Sequence, residues 1–316
     1  MYQASSHLFQ LEPRLQSQPV ANLTRMPPWI RQNLGQGRHF PETARAVQGL
    51  NTVCDEARCP NKGECWSRGT ATFMLLGDTC TRACGFCSVK TGRPDWHDAG
   101  EPRRVAEAAL RMGLSFTVLT SVNRDDLPDG GAGCFAETLE QLRLARPDMG
   151  VEFLTPDFRN CQRQAADLFV ATLAGLPDNA RRDLVWGHNM ETVPRLYKEA
   201  RKGAKYERSL DLLRLAAGLP GVEAKSALML GLGETRDEVL AVLADLREAG
   251  VVRLSLGQYL RPSLDNLPVV RYVHPDEFAQ YETDARALGF GWVKAGPLVR
   301  SSYYAEEIQH AQTDAA

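Results

Sequence analysis

Six of the eight cysteines fall between residues 54 and 87, a density that a chain of 316 residues does not need in order to fold. Cys80, Cys84 and Cys87 are spaced C-x3-C-x2-C. A loop this short can wrap three thiolates around one face of an iron–sulfur cube. Each thiolate then binds its own iron, and the remaining iron is open to a substrate. Zinc is the alternative, but structural zinc takes four ligands and commonly uses C-x2-4-C knuckles. Only Cys84 and Cys87 make such a pair. Cys54, Cys59 and Cys65 form a second triad, C-x4-C-x5-C. Its wider spacing suits a cube or a zinc ion, and one joint zinc cluster or disulfides stay open as readings. Cys134 and Cys161 stand alone near apolar residues and read as buried small hydrophobes.

Something must hold these thiols in place. From residue 70 onward, short runs rich in β-branched and large apolar residues alternate with amphipathic stretches. The runs are 73–76, 116–120, 151–154, 184–186, 227–230 and 252–256. Helices are expected over 102–112, 135–145, 192–201, 235–249 and 275–288. Thr235 and Glu238 have the spacing of a capping box, and Pro275 and Gly289 bracket the last helix. The rhythm predicts an α/β fold, a partial (β/α)6 TIM-type barrel, with the first triad directly after the first strand. Residues 1–45 read as an N-terminal arm and 46–69 as a cluster-binding extension. The partial barrel takes 70–290, and 291–316 form a C-terminal closing segment. Polar and glycine residues follow most of these strands, where such a barrel builds its active site.

Composition narrows the class of function. Charged residues make up 24% and the net charge is −2, so nothing draws the whole molecule toward nucleic acid or an anionic membrane. Mean hydropathy is −0.32, and no apolar run approaches the roughly 20 residues a spanning helix needs. Residues 1–10 lack the regions of a secretory signal, and the few arginines of the arm argue against a transit peptide. The expectation is a soluble cytoplasmic protein. Gly231-Leu232-Gly233 is not a dinucleotide fingerprint, and no P-loop lysine motif occurs.

The segment Cys80-Thr81-Arg82-Ala83-Cys84-Gly85-Phe86-Cys87 resembles the cluster loop of radical S-adenosylmethionine enzymes. With the upstream triad, the stretch Arg124-Asp125-Asp126-Leu127-Pro128-Asp129-Gly130-Gly131-Ala132 and the C-terminal Arg300-Ser301-Ser302-Tyr303, the chain resembles the lipoyl synthases over about residues 27–307. The resemblance implies two [4Fe–4S] clusters and S-adenosylmethionine as co-substrate. The Cys80/Cys84/Cys87 cluster would bind S-adenosylmethionine and give a 5′-deoxyadenosyl radical, as an unactivated C–H bond demands. The Cys54/Cys59/Cys65 cluster, with Ser302 as its fourth ligand, would supply sulfur. An alkoxide is harder than a thiolate, which favours release of that iron when a sulfide is given up. Phe86 would screen the first cluster. Thr120 and Ser121 are implied near the S-adenosylmethionine amino group, and Asn189 and Glu191 near its ribose. Gly231 and Glu234 fit a superfamily pattern, while Ala227 and Asn123 depart from the expected glycine and aspartate.

The implied reaction adds sulfur at C6 and C8 of an octanoyl-lysine. The implied partners are octanoylated lipoyl carrier domains (2-oxoacid dehydrogenase E2 or glycine-cleavage H protein), a ferredoxin- or flavodoxin-type reductant and an iron–sulfur carrier protein. A methylthiotransferase and a zinc-stapled binding module are the competing readings, which iron and acid-labile sulfide would separate from, or join to, this one.

Overall fold

A computed structural model describes residues 26–31, 39–95, 98–181 and 183–305. The turn expected at Gly35-Gln36-Gly37, most of the arm and the last residues lie outside these. Seven parallel strands form one sheet: β1 (Thr72–Leu75), β4 (Phe116–Ser121), β5 (Gly150–Leu154), β6 (Leu184–Gly187), β7 (Val222–Leu230), β8 (Arg253–Gln258) and β9 (Trp292–Gly296). Between the first two lies a two-stranded ladder of β2 (Thr79–Cys80) and β3 (Lys90–Thr91). The strands of the large sheet neighbour one another in chain order, and among the described residues no pairing joins β1 to β9. The sheet is therefore an open, partial barrel.

The six expected strands are all present, and a seventh, β9, lies inside the segment assigned to closure at 291–316. Its alternation of buried Val293 with partly exposed neighbours gives it little of the apolar density by which the other strands announce themselves. β1 and β6 are buried along their whole length, as parallel strands covered on both faces must be.

The outer layer consists of α4 (Glu101–Arg111), α5 (Ala132–Ala145), α6 (Gln162–Gly175), α8 (Tyr206–Ala217), α9 (Arg236–Glu248) and α10 (Pro275–Ala287). The one remaining helix of the barrel, α7 (Tyr197–Ala200), is a single turn. The helix expected over 192–201 is cut to that turn and a preceding 3-10 turn, Pro194–Leu196. Glu191 has a left-handed φ of 66° and Pro194 cannot continue a helix begun before it, so helical geometry starts only at 194. Thr235 caps α9 in the expected reciprocal box with Glu238, an arrangement worth about 1 kcal/mol. Phe135, Phe153, Phe158, Phe169 and Trp186 meet edge to face in the core between sheet and helices, with ring centroids 4.9–6.4 Å apart.

Before the barrel come three helices, α1 (His39–Ala46), α2 (Val53–Glu56) and α3 (Lys62–Ser67). The first lies in a stretch expected to be irregular up to residue 45, and it buries Thr43 and Ala46. The Asn51 carbonyl accepts from the Met74 backbone N–H at 2.9 Å, and Thr52 bridges antiparallel to Phe73. The extension is thereby tied to the edge of the sheet at β1.

Candidate active site

The loop of Cys80, Cys84 and Cys87 is pinned at both ends by the β2–β3 ladder, where Cys80 registers with Thr91. Cys80 Sγ accepts backbone N–H groups from Asn123 at 3.3 Å and Arg82 at 3.5 Å. Further round, the Gly85 N–H donates to the Ala200 carbonyl, and the Leu267 N–H donates to the Gly85 carbonyl, each at 2.9 Å. Asn266 Nδ2 donates to the Cys87 carbonyl at 2.8 Å. Gly85 is needed here because a Cβ would stand 2.7 Å from the Glu199 carbonyl and 2.9 Å from Leu267 Cγ.

Beneath the loop is a buried ion-pair network. Arg82 donates to Asp125 through Nε (2.7 Å) and Nη2 (2.8 Å), and to Asp157 through Nη1 (2.9 Å) and Nη2 (2.7 Å). Arg208 Nε reaches the same Asp157 at 2.7 Å. Burial pushes the Asp157 carboxyl up, yet the hydrogen bonds and charge of Arg82 win and hold it at about 2. His188 lies on the other side, bonded to the Thr155 carbonyl at 2.8 Å and Ser209 Oγ at 3.0 Å. Burial and the Arg201 charge lower it to about 4, so it is neutral. Arg201 donates to Tyr197 Oη at 2.9 Å and Ser209 Oγ at 3.1 Å, and its charge acts on Cys84.

The second triad is built by the extension. Cys54 sits in α2, Cys65 in α3 and Cys59 on the turn between them, whose N–H donates to the Cys54 carbonyl at 3.2 Å. Ser88 Oγ ties this piece to the first loop by donating to the Glu56 carbonyl at 3.0 Å. Asn61 Nδ2 ties it to the C-terminal segment by donating to the Leu298 carbonyl at 2.6 Å. Tyr303 and Tyr304 hydroxyls donate to Glu64 Oε1 at 2.9 and 3.2 Å. These bonds bring Ser302 and Arg300 into the wall of a cavity, partly open to solvent, that Cys54, Cys59 and Cys65 also line. Its apolar floor is Phe116, Val118 and Ala305, which pack with Val185 and Trp292.

All eight cysteines are free thiols. Burial pushes Cys54 to about 11 and Cys65 to about 12, and likewise Cys84 to about 12 and Cys87 to about 11. Thiols in such surroundings are inert as nucleophiles and ionise when a metal takes the proton's place. Among the described residues no three His, Cys, Asp or Glu side chains converge on a single ion. A cube does not ask for that convergence, because each thiolate binds a separate iron. The donor set of three thiols and a hydroxyl around one cavity fits such a group.

The four residues expected at the co-substrate are placed differently from one another. Asn189 Nδ2 donates to Glu191 Oε1, and Ser301 Oγ donates to Asn189 Oδ1, each at 3.1 Å. Burial raises the Glu191 carboxyl, against the pull of Arg201, Asn189 and Arg300, and its charge acts on Cys84 and Cys87. Asn189 and Glu191 thus join the first triad to the C-terminal segment. The Thr120 hydroxyl donates to the Leu154 carbonyl at 2.7 Å and is committed to the sheet. Ser121 Oγ is buried with no partner among the described residues, as a group awaiting a polar ligand would be. Glu234 accepts from the N–H groups of Gly231 (2.6 Å) and Leu232 (2.9 Å), which shapes its loop from within. Sequence reasoning gives Arg82, Arg201 and Arg300 no role of their own: the aspartates of Arg82 are 43 and 75 residues away, and no spacing marks the other two.

The Radical SAM superfamily profile matches residues 74–246. The chain is 52% identical over 286 residues to the lipoyl synthase of Methylococcus capsulatus, covering 90% of this chain and 86% of the relative. It is 50% identical over 284 residues to that of Rubrobacter xylanophilus, covering 89% and 85%. For the enzyme of Chlorobium phaeovibrioides the identity is 49%, over 89% of this chain and 96% of the relative. Among solved structures, Streptococcus suis SuiB bound to S-adenosylmethionine superposes with a TM-score of 0.50 at 13% identity, over 78% of this chain and 56% of SuiB. That likeness is one of fold, and it agrees with the open barrel. Half of all residues shared across nine-tenths of the chain is a closer relation, and by it the chain belongs to the lipoyl synthase family of the radical SAM superfamily.

Proposed function

We infer that Cys80, Cys84 and Cys87 hold the cluster that binds S-adenosylmethionine, and that Cys54, Cys59, Cys65 and Ser302 hold an auxiliary cluster that gives up sulfur. As a lipoyl synthase the chain works with [4Fe–4S] clusters and S-adenosylmethionine. What carries the assignment of ligands is the cavity that Cys54, Cys59 and Cys65 share with Ser302, although Ser302 lies 237 residues beyond Cys65. When bound, the first cluster and its co-substrate supply the carbon radical that a saturated C–H bond requires. The protein's part is to hold and screen. The β2–β3 ladder, Gly85 and Asn266 fix the first loop, Arg82 anchors it from below, and Asn189 and Glu191 lie between the two sites. The apolar floor of Phe116, Val118 and Ala305 suits an aliphatic acyl chain brought to the second triad.

The substrate is an octanoyl-lysine on a lipoyl carrier domain, of a 2-oxoacid dehydrogenase E2 or a glycine-cleavage H protein, and sulfur enters at C6 and C8. A ferredoxin- or flavodoxin-type protein supplies electrons, and an iron–sulfur carrier protein restores the auxiliary cluster. Among the described residues no helix is long and apolar enough to cross a membrane, which accords with a cytoplasmic site of action. Two single variants test the division of labour. Cys84→Ala abolishes formation of 5′-deoxyadenosine. Cys59→Ala still forms it but delivers no sulfur to an octanoyl-lysine peptide followed by mass spectrometry. Lipoylated product from Cys59→Ala would make the upstream triad structural only.

A further inference from the structure

The C-terminal segment carries a cation that neither triad explains. Arg300 lines the cavity of Cys54, Cys59, Cys65 and Ser302. It fits because β8 has glycine at 257, where a Cβ would come within 3.2 Å of Arg300 Nη1 and run into the Val299 carbonyl. Among the described residues the only hydrogen bond of its guanidinium is from Nη1 to the carbonyl of Val299, at 2.7 Å. Arginines buried more deeply than the half-buried Arg300 have more partners: Arg82 and Arg124 pair with aspartates, Arg253 with Glu223, Arg143 donates to the Ala180 and Asp183 carbonyls, and Arg201 to Tyr197 and Ser209. Burial works against the Arg300 charge, and the acidic groups that favour it are Cys59, once ionised, and, away from the cavity, Glu191. A guanidinium has five N–H donors and keeps its proton inside proteins. Among the described residues most of those donors are unmatched.

We propose that Arg300 is the counter-cation of the auxiliary cluster, donating to its sulfur atoms and raising its reduction potential. This rests on the reading of Cys54, Cys59, Cys65 and Ser302 as its ligands. Three thiolates and a serine alkoxide on an oxidised [4Fe–4S] core make a dianion. Moving a dianion into a cavity floored by Phe116, Val118 and Ala305 is costly unless a positive charge accompanies it. Arg68 also acts on Cys65, but its guanidinium is stacked 3.8 Å over the Tyr304 ring. Arg300 is the cation of the cavity wall itself. Hydrogen bonds and net charge at cluster sulfurs are what set iron–sulfur potentials, and an adjacent cation favours the more negative, reduced state. Arg300 acts through the cluster and is a positioning residue.

The test uses the full chain with Cys80, Cys84 and Cys87 all changed to alanine, so that one cluster remains. Arg300→Gln and Arg300→Lys are placed in that background and reconstituted under argon. Iron and acid-labile sulfide are counted, and the midpoint potential is read by redox titration followed by electron paramagnetic resonance. The expected parent holds about four irons. Arg300→Gln is expected to hold the same iron at a lower potential, and Arg300→Lys to stay close to the parent. An unchanged potential in Arg300→Gln overturns the proposal, as does a fall in Arg300→Lys equal to that in Arg300→Gln. If Arg300→Gln fails to hold iron, Arg300→Lys decides: iron with a parental potential supports the charge, and loss of iron overturns it. A parent that binds no cluster would overturn the ligand reading itself, which the iron count reveals before any potential is measured.

Discussion

A hydroxyl among three thiols gives Ser302 a different task from its neighbours in the cavity. Removing its oxygen should expose one iron while the thiolates keep the cube. Ser302→Ala is therefore expected to retain much of its iron and to cleave S-adenosylmethionine, yet to stall before lipoylated product. Ser302→Cys should keep an intact cluster but transfer sulfur poorly, because the softer thiolate grips its iron. A single-turnover assay with labelled cluster sulfide, read as mono-thiolated and lipoylated peptide, checks both. At this scale the thiols are legible from sequence because each triad lies within a short stretch of chain, 80–87 and 54–65, where spacing limits how far apart the thiols can be. The arginines are not: Arg82 finds Asp125 and Asp157 at separations of 43 and 75 residues, which only the folded barrel sets. Ser302 alone would read as one of two loop serines, and it was reached through resemblance.

At the scale of elements, the first loop is a clamp whose tightness depends on one missing methyl group. Gly85→Ala would push against the Glu199 carbonyl and Leu267, moving Cys84 and Cys87 off their positions. Displacements of that size cost about 100-fold in rate, so formation of 5′-deoxyadenosine should fall by about that factor while the Cys54/Cys59/Cys65 site keeps its iron. The network under the loop predicts a pH response. His188 is held below its ordinary value, so the stability it gives is full above about 6.5 and is lost as pH falls through about 4. Asp157, also depressed, gives stability that is lost from about 3.8 down through about 2. The melting temperature of the cluster-free chain should fall between pH 6.5 and 4, and the fall should be shallower in His188→Gln. Apolar runs revealed six strands because both faces of those strands are buried. β9, with one well-buried residue, gave a weaker pattern, while α6 and α8 are helices outside the expected set. The helix expected over 192–201 dissolved into short turns because Pro194 and the left-handed Glu191 outrank its composition.

The whole molecule is held inside by a charged pair as well as an apolar core. Lys225 Nζ donates to Glu152 Oε2 at 2.6 Å between β7 and β5, and both side chains are fully buried. Lys225→Met should cost roughly 3–5 kcal/mol in urea denaturation, by stranding a carboxylate. Glu152→Leu combined with Lys225→Met should recover most of that loss or exceed the parent. The open barrel was legible in the rhythm of the chain, and 291–316 was expected to close over the second triad, but the contacts that make this closure were not legible. That closure comes from contacts between the extension and the far end of the chain: Asn61 to Leu298, and Tyr303 and Tyr304 to Glu64, at separations of 237 to 240 residues. Such spacing has a meaning in time. At typical synthesis rates of about 5–20 residues per second, the extension waits roughly 10–50 seconds after it is made before its other wall exists. Throughout that interval Cys54, Cys59 and Cys65 travel with half a binding site, open to oxidation and to stray metal. Iron and sulfide delivered during translation would meet an unfinished cavity, so loading of that site belongs to the released, folded chain.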